Sequence, residues 1–412
     1  MGKRNLYLKT TPVEEAKKIY LEALKKIWEP AYETIPVIEA CKRVTRHATY
    51  AKNSSPLYNA SAMDGIAVIS SRTYGACETN PVRLKEGEDY VVVDTGDPIH
   101  HPYDAVIMAE DLLETGAEDE VEITASVAAW QHIRPVGEDI VAGEMILPSC
   151  HKIRPIDVGV LLSAGITEIE VVKQPKVTIF PTGTEIIEPG EAITDGSIIE
   201  SNTRMFEQMV IEQGGLAKRC PILEDVYEKI LEEVKKAVAV SDMVIINAGS
   251  SAGRDDYTVH VLRELGEVLI HGVAIKPGKP VILAIVDKKP VIGLPGYPVS
   301  AYIAFENFVS PVLAMMGQLP VKTDYEVPAV VSRRLVSSLK HKEYVRIKAG
   351  VVGGRMVAAP LARGAGAAMS LVRADGFCVI DQNCEGVEAG EEVKISLYRD
   401  PEEIANTVVV TG

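Results

Sequence analysis

Aromatic side chains are scarce in this chain. They make up 5% of 412 residues, while apolar residues overall make up 47%. Its cores must therefore be aliphatic. Cysteine is also sparse: the six, at positions 41, 77, 150, 220, 378 and 384, form no CxxC pair and match no zinc spacing. That excludes a disulfide scaffold and leads to the expectation of reduced thiols in a cytoplasmic protein. The eight histidines show no HxxxH or HExxH spacing. No apolar run reaches the length of a membrane span. The opening MGKRNLYLKT is basic but has no apolar stretch behind it, so no secretory signal is expected. Positive charge is in deficit, with 43 basic against 58 acidic residues and a formal net charge of −15. This balance argues against nucleic acid or an anionic membrane as partner. Neither the GxxxxGK[ST] of a phosphate loop nor the GxGxxG of a dinucleotide fold occurs. The second absence disfavours a nicotinamide dehydrogenase. No internal repeat or low-complexity tract is visible.

What is present is length and a changing pattern. A chain of this size exceeds one core, so two to four domains are expected. Thr11-Pro12-Val13-Glu14 has the form of a capping box with proline at the first helical position, predicting a helix to about Trp28. From Tyr50 to about Pro135 short strands alternate with glycine, proline and acidic turns, as in a small β domain. IDVGVLLSAGI then predicts a short buried helix and TEIEVV a strand. Mixed structure on both sides makes the β domain an insertion in an elongated α+β region. The expected boundaries are 1–50 with 140–175 for that region and 51–139 for the insertion.

From Lys176 the pattern is α/β. VTIF and MVII are buried strands. Met205, Phe206, Met209 and Val210 mark a helix that Gly214-Gly215 stops. Asp225 and Glu228 open a second helix. Buried strands alternating with helices imply a mainly parallel sheet covered on both faces. This central domain is expected over 176–320. After Pro320 the pattern returns to β, and 321–412 is expected to be a small barrel or sandwich.

Four loops in the central domain carry chemistry. PTGTE (Pro181–Glu185) and NAGSSAG (Asn247–Gly253) each follow a strand, and such loops converge at the carboxyl edge of a parallel sheet. Thr182, Gly183, Gly249, Ser250, Ser251 and Gly253 are the candidate anion donors there. Taken singly, PTGTE is as well explained as an ordinary turn, and Asp225 or Asp256 as a helix cap. Asp255 and Asp256 add carboxylates suited to a hard cation such as Mg²⁺, and Glu185 is expected to reach the same crevice as Asp256. KPGKP (Lys276–Pro280) holds Lys276 and Lys279 in a stiff loop, and two confined ammonium groups favour an anion between them. GLPGYPVSA (Gly293–Ala301) starts a helix at Pro298 and presents Ser300. In the inserted domain, NASAMDGIAV makes a tight loop into a strand, and turn chemistry alone accounts for Asp64 and Gly65.

As an ordered set, SAMDG, DTGDP with AVIMAED, RPVGEDI, PTGTE, DDY with IKPGKP, and GLPGxPVSA closely resemble the molybdopterin molybdenumtransferases. The same fold forms the gephyrin E domain. The resemblance runs from Thr11 to about Tyr398. It implies an elongated α+β region, an inserted β domain, a central molybdopterin-binding-like α/β domain and a C-terminal β-barrel domain. It also implies a homodimer with a shared cleft, and an upstream molybdopterin-adenylating enzyme. The implied substrates are adenylylated molybdopterin and molybdate or tungstate, with Mg²⁺ assisting release of AMP. By position, the resemblance assigns catalytic roles to Asp64, Asp139, Glu185, Asp225 and Asp256, the last three also as metal ligands. Thr95, Lys276, Lys279 and Ser300 match binding positions, and Arg346 and Ser370 match through shorter stretches. The chain departs from the family at Ala248-Gly249-Ser250-Ser251, where GGVS is common, at Tyr297, where asparagine is common, and at Ile66. NAGSSAG with GYPVSA resembles a subgroup carrying a further ligand-binding domain, and NTVVVTG ends abruptly, so a longer parent chain is expected. The competing expectation is a non-catalytic pterin-binding or scaffold protein on this fold. Retention of the acids and both lysines speaks against it.

Overall fold

The computed structural model describes residues 10–248, 257–320, 325–362 and 364–405. The chain divides into two compact units, Met1–Ala31 with Lys173–Gly412, and Tyr32–Val172.

In the larger unit, six strands form one sheet in the order Leu216–Arg219, Lys176–Pro181, Met243–Ala248, Lys289–Pro295, Ile282–Val286, Glu267–His271. The first four run parallel, and the last two add on antiparallel. Every residue of Met243–Ala248 is buried, as a central strand covered on both faces requires. Successive side chains point to opposite faces, so Met243 and Ile245 enter one core while Val244 and Ile246 enter the other. The first core takes the helices Val13–Lys25 and Asn202–Glu212 and the helical run from Pro298 to Met316. The second takes Tyr227–Val240 and Thr258–Leu265. The expected helix stripe is present: Phe206, Met209 and Val210 are buried, and Phe206 stacks on Phe305 at 5.4 Å.

Several local expectations need correction. The first helix spans Val13–Lys25 with Pro12 at its N-cap and no side-chain cap. Thr11 does not cap it, because its backbone forms a bridge: its N–H donates to Gly272 O (3.1 Å) and its C=O accepts from Ala274 N–H (2.8 Å). Tyr20 and Leu24 bury that helix in the α/β core of the larger unit. The helix Tyr227–Val240 is capped at Val226, which leaves Asp225 one residue outside. The helical run Pro298–Met316, 19 residues with mean hydropathy 1.3, is long and apolar enough to cross a membrane, but 83% of it is buried as a core helix.

The C-terminal part of this unit is a closed barrel. Lys342–Val352 pairs with both Arg355–Pro360 and Gly376–Ile380, and Tyr325–Val331 and Glu392–Leu397 complete the ring. Its core is small and aliphatic, with Ala329, Val345, Ile347, Ala358 and Leu397 inside.

In the smaller unit, Tyr32–Pro36 pairs antiparallel with Glu168–Val172 and brings the two ends of the segment together. Two three-stranded sheets lie between. Gly65–Val68 is central in one, and Glu120–Ile123 in the other. They share a core of Ile66, Leu84, Ile107 and Ile123. Residues on either side of this insertion form a separate core around Val37, Ala51, Ile140, Leu161 and Val171. The helix Pro155–Ser163, expected to be buried, is half out: Asp157 and Leu161 are buried and Val158 and Val160 pack on the core, while Ile156 is 65% exposed.

Candidate functional site

The loops at the carboxyl edge of the parallel strands are stitched together by two asparagines. Thr182, directly after the strand Lys176–Pro181, donates its N–H (3.0 Å) and its hydroxyl (3.2 Å) to Asn247 O. The Asn247 amide, buried at the end of the next strand, donates to Pro295 O (2.9 Å). Asn202, at the start of the helix Asn202–Glu212, donates to Asn247 Oδ1 (3.1 Å) and to Gly296 O (2.6 Å). A buried amide must find such partners, and here they join PTGTE, the end of the Met243–Ala248 strand and GLPGYP. Neither asparagine stood out in the sequence. The signal was there: an amide at the penultimate position of an otherwise aliphatic strand, and another at the first position of a helix. Gly183 has φ +147°, and a side chain there would meet Ile186 at 2.9 Å, so the turn requires glycine.

The acids are placed unequally. Thr182 bridges Leu223, so Glu185 and Asp225 follow from two adjacent segments at this edge. Glu185 is exposed. Gly249, Ser250, Ser251, Gly253, Asp255 and Asp256 lie outside the described residues. Among the described residues, no three Asp, Glu, His or Cys side chains converge as a metal cage. Carboxylate oxygens at a strand edge do suit a hard cation that keeps part of its water shell.

The lysine loop differs from the expected pair of uncompensated charges. Ile275–Lys276 forms a short strand parallel to Lys342–Val352 of the barrel, with Lys276 opposite Glu343. Lys276 Nζ lies 3.3 Å from Glu343 Oε2. Ser337 Oγ donates to the same oxygen at 2.8 Å. Gly278 has φ +115°, and a Cβ there would stand 3.2 Å from Ser300 O. The loop thus packs onto the first turn of the helix that Pro298 begins, where Ser300 is buried. His341 is held below its usual pKa by burial first, then by Lys279 and Lys276.

The weaker candidates have structural duties. Arg346 is buried and donates to Ala362 O (2.8 Å), tying the segment that follows the barrel strand Arg355–Pro360. Ser370 donates to Ala367 O (2.6 Å) within its own turn. Tyr297, the departure in GLPGYP, packs on Gly366, where a Cβ would meet its ring at 3.3 Å.

In the smaller unit, Asp64 accepts from both the N–H and the hydroxyl of Thr95, each at 2.7 Å. These bonds, the hydroxyl first, pull the Asp64 carboxyl below its usual pKa. Gly65 admits no side chain, since a Cβ would stand 2.0 Å from Ile107 O. Asp139 is exposed, with its N–H on Ser55 O (3.0 Å).

The fold and these loops define a class: a multidomain protein built around an α/β domain of the molybdopterin-binding type. Residues 11–165 match the MoeA N-terminal region (domain I and II). Residues 178–315 match a probable molybdopterin binding domain, and 328–398 match the MoeA C-terminal region (domain IV). A putative molybdopterin biosynthesis protein of Methanocaldococcus jannaschii is 33% identical over 94% of this chain and 98% of that relative. A molybdopterin molybdenumtransferase of Haemophilus influenzae is 27% identical over 94% and 98%. The crystal structure of a molybdopterin biosynthesis MoeA protein from Pyrococcus horikoshii matches with TM-score 0.79 and 30% identity, covering 95% of this chain and all of that one. The chain belongs to the MoeA family.

Proposed function

We propose that the chain is a molybdopterin molybdenumtransferase, which inserts molybdate or tungstate into adenylylated molybdopterin with Mg²⁺-assisted release of AMP. One observation carries this reading: the lysine loop and the first turn at Ser300 pack together beside the carboxyl edge that Asn202 and Asn247 organise. An oxyanion-binding loop beside a crevice suited to a pterin phosphate is what a transferase with two anionic substrates needs. Relatives named molybdopterin molybdenumtransferase support molybdopterin and a molybdenum donor as substrates.

Two anions repel, so the chain's main task is to hold them within reach of each other. Lys276, Lys279 and Ser300 hold the oxyanion, and the PTGTE and NAGSSAG loops cradle the phosphate. Glu185, Asp225 and Asp256 would hold Mg²⁺, which would supply charge neutralisation on the phosphate oxygens. Water attacks the phosphoanhydride and the P–O bond to AMP breaks, leaving the pterin phosphate and free AMP; the two dithiolene thiols displace one oxo group of molybdate, which leaves as water with their two protons. Asp64, Thr95 and Asp139 act on the ligand held by a second copy in a homodimer, and an adenylating enzyme supplies the substrate. Mixing Asp64→Ala with Glu185→Ala chains then restores activity through hybrid sites; fully active monomers would refute the shared cleft. Incubation with adenylylated molybdopterin, Mg²⁺ and molybdate should yield a product that activates a molybdenum-free apoenzyme. Failure to activate, with ligand bound, would favour a binding protein instead.

A further inference from the structure

The lysine loop carries a built-in anion. Glu343 is 3% exposed, while the Lys276 side chain facing it is 49% exposed. The carboxylate is therefore fixed and dry, and the ammonium is open to solvent. The strand register sets this arrangement, since Lys276 lies opposite Glu343 and Lys342 N–H donates to Ala274 O at 2.9 Å. Ser337 Oγ donates to the same carboxylate oxygen that faces Lys276. Lys279 and Lys340 act on the neighbouring His341, which is pushed towards its neutral form, by burial first. Near neutral pH the cluster opposes one carboxylate to its lysines.

We propose that Glu343 is a positioning residue that acts through Lys276. It holds the ammonium at the oxyanion position and, as a counter-charge, weakens the oxyanion's grip so that it can be handed on. This rests on the lysine loop being the oxyanion site. A dianion placed on Lys276 shares its ammonium with the Glu343 carboxylate, 3.3 Å away. At such range, in a partly dry setting, like charges repel strongly. A carboxylate that served only to order the loop would strengthen oxyanion binding; a counter-charge weakens it. The two roles predict opposite signs for its neutralisation.

The test is calorimetric titration of molybdate, tungstate and sulfate into the full chain at low salt. Glu343→Gln keeps an acceptor for Lys276 and Ser337 but removes the charge. It should tighten binding of all three dianions by about tenfold or more. In a Lys276→Ala background, the same change should have less than roughly a threefold effect, because the residue acts through Lys276. If Lys276→Ala weakens binding but Glu343→Gln weakens it or leaves it unchanged, the counter-charge role is wrong while the oxyanion site stands. If Lys276→Ala changes nothing, the oxyanion binds elsewhere and both readings fall. Should Glu343→Gln not fold, Ser337→Ala decides. Freed of one donor, Glu343 should hold Lys276 harder and weaken oxyanion binding, and tighter binding would overturn the proposal.

Discussion

At the scale of single residues, the exposed acid Asp64 is distinguished by its partner. Two bonds from Thr95 stabilise its charged form. A carboxyl with a lowered folded pKa contributes stability above its unfolded value, near 4, and loses it as pH falls through the folded value. Thr95→Val removes one of the two donors, so the Asp64 carboxyl should titrate at higher pH, as followed by NMR of the side-chain carbon. An unchanged titration would mean that the hydroxyl is not a true partner. Asp64, Lys276 and Ser300 were legible as motif residues. Asn202, Asn247 and Glu343 were not, because their roles come from partners distant in sequence. Asn247 meets Pro295, and Glu343 meets Lys276, only once the strands are in register.

At the scale of elements, the sequence's periodicity located the parallel strands and the helix Asn202–Glu212, where apolar spacing and burial agree. Caps were less legible. Thr11 had the form of a cap but is recruited into a bridge with Val273, and Val226 rather than Asp225 holds the N-cap position of the helix Tyr227–Val240. Local chemistry offers a cap, and tertiary pairing decides whether it is used. The lysine loop is the element whose geometry is most constrained. At Gly278, φ +115° and a Cβ position 3.2 Å from Ser300 O both oppose a side chain. Gly278→Ala should cost about 1–3 kcal/mol of local strain and push the loop off Ser300. Titration should show weakened oxyanion binding, while circular dichroism shows the fold retained. Wild-type affinity would mean that the contact with Ser300 is incidental.

At the scale of the whole molecule, two histidines in the larger unit make stability depend on pH. His271 is pushed down by burial, then by Arg263 and His260. His341 is pushed down by burial, then by Lys279 and Lys276. With folded pKa values below the ordinary one, the unfolded chain takes up protons first as pH falls. Their contribution is therefore full above about pH 6.5 and is lost below it, through the folded values. Unfolding midpoints measured from pH 7.5 to 5.5 should fall on acidification. The double variant His271→Asn/His341→Asn should flatten that slope, and an unaltered slope would place the titration elsewhere. The central claim is that this fold brings an oxyanion on the lysine loop to a pterin adenylate at the carboxyl edge of the sheet. The most direct measurement is AMP release in a single turnover with adenylylated molybdopterin, Mg²⁺ and molybdate, comparing wild type with Lys276→Ala/Lys279→Ala. Release that depends on molybdate in the wild type, and is lowered by about 10²-fold or more in the double variant, is the predicted result. Equal, molybdate-independent release from both chains would contradict the account.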